Sequence, residues 1–160
     1  MEQRQEAEEI NMDNREFVAQ MIGRLREGAK MSEIFGIDSE TMLNLEAQAF
    51  RLYRNGLFSR AQVAGRGVLA LDEDRVLVRL IMGDMALEEY RFAEAIEHLG
   101  AAHLLAPGKP VIQARLGEAL LKKGRKQRAR KHLQAVVAAG DKADGDDVAR
   151  CRVLLRALER

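Results

Sequence analysis

Residues 88–110 read EEYRFAEAIEHLGAAHLLAPGKP. The stretch from Ala93 to Leu105 is rich in helix formers. Pro107 ends that helix, and Pro110 can open the next one, where its missing N–H costs little. A step of 34 residues in either direction from Ala95 lands on Ala61 and Ala129, and the same step joins Ala49, Gly83 and Gly117. Small side chains at fixed positions let two helices approach closely, and larger apolar residues one turn away fill the core between them. Those larger positions keep the phase: Leu52, Ala86 and Leu120 on the first helix of each unit, and Gly65, Leu99 and Leu133 on the second. Between the two helices lie Asn55-Gly56, Glu89-Tyr90 and Lys123-Gly124, where Gly or a compact polar residue turns the chain.

This period predicts an all-α repeat array, with units at 42–75, 76–109 and 110–143 stacked into a concave right-handed superhelix. Residues 144–160 read as a capping helix, with Val148, Cys151, Leu154, Leu155 and Leu158 on one face and Asp146 and Asp147 at its dipole-positive start. Residues 13–41 form an N-terminal helical region, and residues 1–12, polar and short of apolar anchors, are expected to be a disordered tail. The stripe Phe17, Val18, Met21, Ile22 and Leu25 needs a cover. Either it caps the first repeat, or Phe17, Met21 and Leu25 mediate self-association as a homodimer.

Composition excludes several functions. With a net charge of +1 the chain has no field to draw in nucleic acid or an anionic membrane. Its acidic, polar start lacks the features of a secretory signal, and no apolar run approaches the roughly 20 residues of a membrane span. One cysteine among 160 residues permits no internal disulfide and no thiol cluster, so a cytoplasmic location is expected. His98 and His132 lie one period apart beside Leu99 and Leu133, which places them on a partly exposed helical surface. No HExxH pair, phosphate loop or dinucleotide glycine pattern occurs, so no catalytic, cofactor or metal residue is expected. Cys151 reads as a buried small hydrophobe. The stretch KKGRKQRARK at 122–131 is either a solvated face or a contact for an acidic partner surface.

In stacked helical hairpins the first helix of each unit lines the inner wall. Helical spacing places Leu43, Glu46, Phe50 and Tyr53 there in the first unit, Leu77, Leu80, Asp84 and Leu87 in the second, and Val111, Ala114, Glu118 and Leu121 in the third. That wall is apolar with acidic spots, suited to a protein client.

The segments YRNGLFSRAQ at 53–62, EEYRFAEAIEHLGAAHLLAPGKP at 88–110 and GEALLKKGRKQRARKHL at 117–133 resemble tetratricopeptide repeats. The whole layout, with a leading amphipathic helix, a GIDSETM lead-in at 36–42, three repeats and a closing helix, resembles the class II chaperones of bacterial type III secretion. That resemblance implies a chaperone that keeps pore-forming translocators soluble in the cytoplasm and holds an extended client segment in its groove. Glu46, Asp84 and Glu118 would then read backbone or basic groups of the client. Such chaperones carry aromatics on the first groove helix. Leu45 and Leu52 occupy two of those places here, with Phe50 and Tyr53 nearby. The alternative is an adaptor or needle-subunit chaperone that packs a partner helix. A clamp for the acidic tail of a heat-shock protein fits poorly, because Glu46 and Phe50 stand where a basic residue and an amide are wanted.

Overall fold

In a computed structural model the backbone is described for residues 2–159 and the side chains for residues 14–159. Every regular element among them is helical: α1 (Glu2–Arg26), α2 (Met31–Ile34), α3 (Ser39–Arg54), α4 (Phe58–Leu71), α5 (Val76–Glu88), α6 (Phe92–Leu105), α7 (Pro110–Lys122), α8 (Lys126–Ala139) and, after a 3-10 turn at Gly140–Lys142, α9 (Gly145–Ala157). The pairs α3/α4, α5/α6 and α7/α8 are the three repeats. Each first helix also touches the next, α3 on α5, α5 on α7 and α7 on α9, so these four form one inner wall.

The phased small residues set the helix separations. Ala61, Ala95 and Ala129 are fully buried. A Cβ on Gly117 would lie 2.8 Å from Leu133 Cδ2, one on Gly65 would lie 2.7 Å from Met82 Sδ, and one on Gly83 would overlap the side chain of Leu99. Leu99 and Leu133 thus bury themselves on bare backbone, which no larger residue would permit. The series runs one step further than the three repeats. Cys151, 34 residues after Gly117, is buried against Val148, Leu133 and Val136, so α9 packs as the first helix of a fourth unit would.

Local chemistry fixes the ends. Pro110 opens α7 at its first turn. The Asp38 carboxylate accepts from the Thr41 N–H at 2.8 Å and starts α3 at Ser39. Asp144 accepts from the N–H groups of Asp146 and Asp147 at the start of α9.

The N-terminal region departs from one expectation. The α1 stripe covers the first repeat only in part: Met21 is half-buried and Leu25 borders a cavity against Leu69 and Ala70 of α4, but Phe17 is 51% exposed, Val18 44%, Ile22 42% and Leu25 40%. The chain turns at Gly28 (φ +88°), and α1 packs on α2, which in turn packs on α4. The helix backbone begins at Glu2, inside the segment 1–12 expected to be a tail. The side chains of that segment lie outside the described residues.

Candidate peptide-binding groove

Two cavities share the inner wall. The first, about 520 Å³, lies at the N-terminal ends of the first helices and is walled by Val76, Leu77 and Leu80 of α5 and Val111 and Ile112 of α7. Its rim is charged: Glu46, Asp74, Arg75 and Lys109. Arg75 ties the rim down, pairing with Asp72 at 2.8 Å and with Glu46 at 3.4 Å, so Glu46 meets an arginine of its own chain.

The second cavity, about 220 Å³, lies toward the C-terminal ends of the same helices and is polar. The Tyr53 hydroxyl donates to Asp84 Oδ2 at 3.1 Å. Asp84 Oδ1 stands 3.2 Å from Arg115 Nε, close enough to pair as ions but too poorly aligned for a hydrogen bond. Arg115 also approaches Asp147 at 3.9 Å, and Arg150 of α9 donates to Glu118 Oε1 at 2.7 Å. This network stitches the first helices together across the wall. Burial pushes the Asp84 carboxyl above its ordinary value, against the pull of Arg115 and the Tyr53 hydroxyl. Burial and the Asp84 charge push Tyr53 up to about 12, so its hydroxyl stays a donor at neutral pH.

The structure gathers Glu46, Leu77, Leu80 and Val111 around the apolar cavity and Tyr53, Asp84, Leu87 and Glu118 around the polar one. Leu43 is 58% exposed on α3, lining neither. Phe50 packs on Tyr53, ring centroids 6.4 Å apart, with Arg54 over its face. Leu121 packs against the core cluster around Leu99 and Leu120, as do the inner parts of Leu80 and Leu87. Ala114 is buried in the core formed with Val136 and Val148. Among the residues sequence reasoning missed are Arg75, Glu88, Tyr90 and Arg150. A signal existed for some: the partners Tyr53–Asp84 and Glu118–Arg150 are separated by 31 and 32 residues, slightly under one repeat.

Residues outside the groove have bland settings. His103 and His132 meet edge to face at 5.0 Å, and no cluster suited to a metal ion occurs among the described residues. Burial pushes the Cys151 thiol up to about 11, which keeps it protonated. No described helix is long and apolar enough to cross a membrane.

Comparison with known proteins agrees with this geometry. The tetratricopeptide repeat family model matches residues 86–151. A search of curated proteins finds no match. Among solved structures, a chain of a type III secretion complex from Aeromonas hydrophila superposes with a TM-score of 0.75 at 18% identity, covering 88% of this chain and 95% of that one. The type III secretion chaperone SycD of Yersinia enterocolitica, in complex with a peptide of the translocator YopD, gives 0.68 at 22% identity, covering 77% and 95%. The first repeat domain of Spaghetti (RPAP3), bound to the HSP90 peptide SRMEEVD, gives 0.67 at 17% identity, covering 78% and 98%. The chain has the tetratricopeptide-repeat fold, and in that fold it is similar to type III secretion chaperones.

Proposed function

We propose that this protein is a cytoplasmic chaperone of type III secretion that holds an extended, apolar segment of a translocator in its inner groove, keeping the client soluble and fit for export. The observation that carries this reading is the apolar cavity between Leu77, Leu80 and Val111 on the inner wall of the repeats. It is supported by the likeness in fold to SycD, which was solved with a translocator peptide. An apolar client side chain seated there gains about 1.5–3 kcal/mol from burial before ordering costs. On this reading the groove binds and does not catalyse. An acidic tail like SRMEEVD suits it poorly, because Asp84 and Glu118 line the wall and Arg115 and Arg150 already face them.

Leu77 and Val111 offer the cleanest test, since Leu80 and Leu87 also support the core. With the protein as bait in its native bacterium, capture should recover a hydrophobic secreted protein. Leu77→Glu with Val111→Glu should lower that recovery at least tenfold while helical content is unchanged. Undiminished recovery places the client elsewhere. Recovery of an assembly subunit in its place favours the adaptor or needle-subunit reading, in which a partner helix fills the groove.

A second reading concerns self-association, favoured by the exposed stripe of α1 at Phe17, Val18, Ile22 and Leu25. We infer that a second copy covers it.

A further inference from the structure

The first helix of every repeat ends in the same hydrogen-bonded turn. The N–H groups of Leu57, Arg91 and Arg125 donate to the carbonyls of Leu52, Ala86 and Leu120 at 3.0, 2.8 and 2.8 Å. This pattern forces the residue before each donor into the left-handed region. Gly56 and Gly124 occupy it in the first and third repeats, with φ of +71° and +78°. In the second repeat the residue is Tyr90, with φ +59°. Glycine adopts this conformation freely, whereas an aromatic residue adopts it against steric resistance.

Burial does not repay that strain. The Tyr90 side chain is 78% exposed, with Phe92 edge-on to its ring at 6.1 Å between centroids. The ring stands at the mouth of the polar cavity, beside Glu88. The charge around it is also distinctive. Helices α3 and α7 end in basic residues, Arg51 and Arg54 in one and Lys122 in the other, which answer the negative end of the helix dipole. The last turn of α5 has no basic residue and ends in Glu88. The neighbouring Glu89 is held by Arg91 and Gln62. Arg115 and Arg150, the arginines of the cavity, pair with Asp84 and Glu118, and Lys122 lines the same cavity from the end of α7. A carboxylate with no hydrogen bond or ion pair among the described residues, a helix end without a basic residue of its own and an open aromatic face therefore meet at one spot, and all three attract a cation.

We propose that Tyr90 and Glu88 seat one arginine or lysine side chain of the client, so that the groove selects segments carrying a cation beside their apolar anchors. This rests on the groove reading above. The strained backbone at Tyr90 is then retained for recognition and not for folding. It gives stability and binding opposite signs at a single residue.

The probe is an array of extended 12-residue peptides, each with two leucine anchors and a guest position scanned along it as Arg, Lys, Gln or Glu. The wild-type chain should bind peptides with Arg or Lys at one guest position about three- to tenfold tighter than those with Gln. Tyr90→Gly and Glu88→Gln should each remove most of that preference, and Tyr90→Phe should keep it. Tyr90→Gly should also melt higher, by about 2–4 °C. A preference unchanged in Tyr90→Gly, or a lower melting temperature, overturns the proposal. If Leu77→Glu abolishes peptide binding while the guest residue makes no difference to wild type, the groove reading stands and this one falls. If wild type binds no peptide, or Leu77→Glu binds as well, both fall.

Discussion

Two glycines control how closely the helices of the second and third repeats approach. Gly83 lies under Leu99 and Gly117 under Leu133, and each leucine is fully buried. In an open helix, replacing Gly by Ala is worth roughly 0.5–1 kcal/mol of added stability. At Gly83 the new methyl group must displace Leu99, so the sign should reverse, with Gly83→Ala costing about 1–3 kcal/mol and lowering the melting temperature by roughly 2–4 °C per kcal/mol. At Gly67 on α4 an added methyl group would meet nothing within 4 Å, and Gly67→Ala should melt higher than wild type. If both variants shift the same way in thermal denaturation, close packing is not what keeps Gly83. This level of the fold was legible in the sequence, because a close helix contact repeated every 34 residues leaves a small residue at every step. Tyr90 was less legible. Its phase with Gly56 and Gly124 is visible, but only the backbone shows that the position is left-handed. The groove arginines were legible only as a spacing: Glu118 and Arg150 stand 32 residues apart, slightly under one repeat, but which charges then pair follows from the superhelical stacking and leaves no local pattern.

At the scale of elements, the join between α2 and the repeats depends on one buried carboxylate. Asp72, 6% exposed at the end of α4, accepts from Lys30 Nζ at 2.7 Å, from Arg75 Nε at 2.8 Å and from the Asp74 N–H at 3.1 Å. Lys30 also reaches Asp74 at 3.0 Å and stands at the head of α2. Burial works against the Asp72 charge, but these three donors outweigh it and hold the carboxyl below its ordinary value. The same hydrogen bonds hold Lys30 above its ordinary value. Asp72 therefore contributes stability above its unfolded value of 3.8, lost as the pH falls through the lower folded one. Lys30 contributes below 10.5, lost as the pH rises through its raised folded value. Across the neutral range the latch is closed. Lys30→Met should speed amide exchange over residues 27–38 at pH 7 and leave α5 to α8 protected. Below pH 3.8 the difference between variant and wild type in that segment should shrink steadily as Asp72 takes up its proton. Equal exchange at pH 7 means the latch does not hold α2. Nothing in the sequence pointed to this join, because Lys30 and Asp72 belong to no repeat position and meet only when α2 folds back on α4.

For the whole molecule, α1 is the element whose burial is incomplete. Its 25 residues make a rod of about 37 Å. Helices isolated from tertiary packing draw little stability from propensity alone, so an amphipathic helix that stays helical normally has its apolar face covered. The latch at Lys30 fixes where α1 leaves the body; Leu25 borders a cavity against Leu69 and Ala70 of α4, while Phe17, Val18 and Ile22 stay exposed. A second copy presenting the same stripe would cover Phe17, Val18, Ile22 and Leu25 symmetrically, as closed two-fold assemblies do. Sedimentation equilibrium of the wild type at micromolar concentrations should then give about twice the 17.9 kDa of one chain. Phe17→Glu with Ile22→Glu should return it to the single-chain mass, and because both side chains are exposed on α1, the melting temperature of the array should not fall with it. A wild type that sediments as one chain throughout, or a variant of undiminished mass, would show that the stripe is not covered by a second copy. Capture of the client by the variant separates the two surfaces: if the groove acts alone, a chain that no longer self-associates should still retain its client.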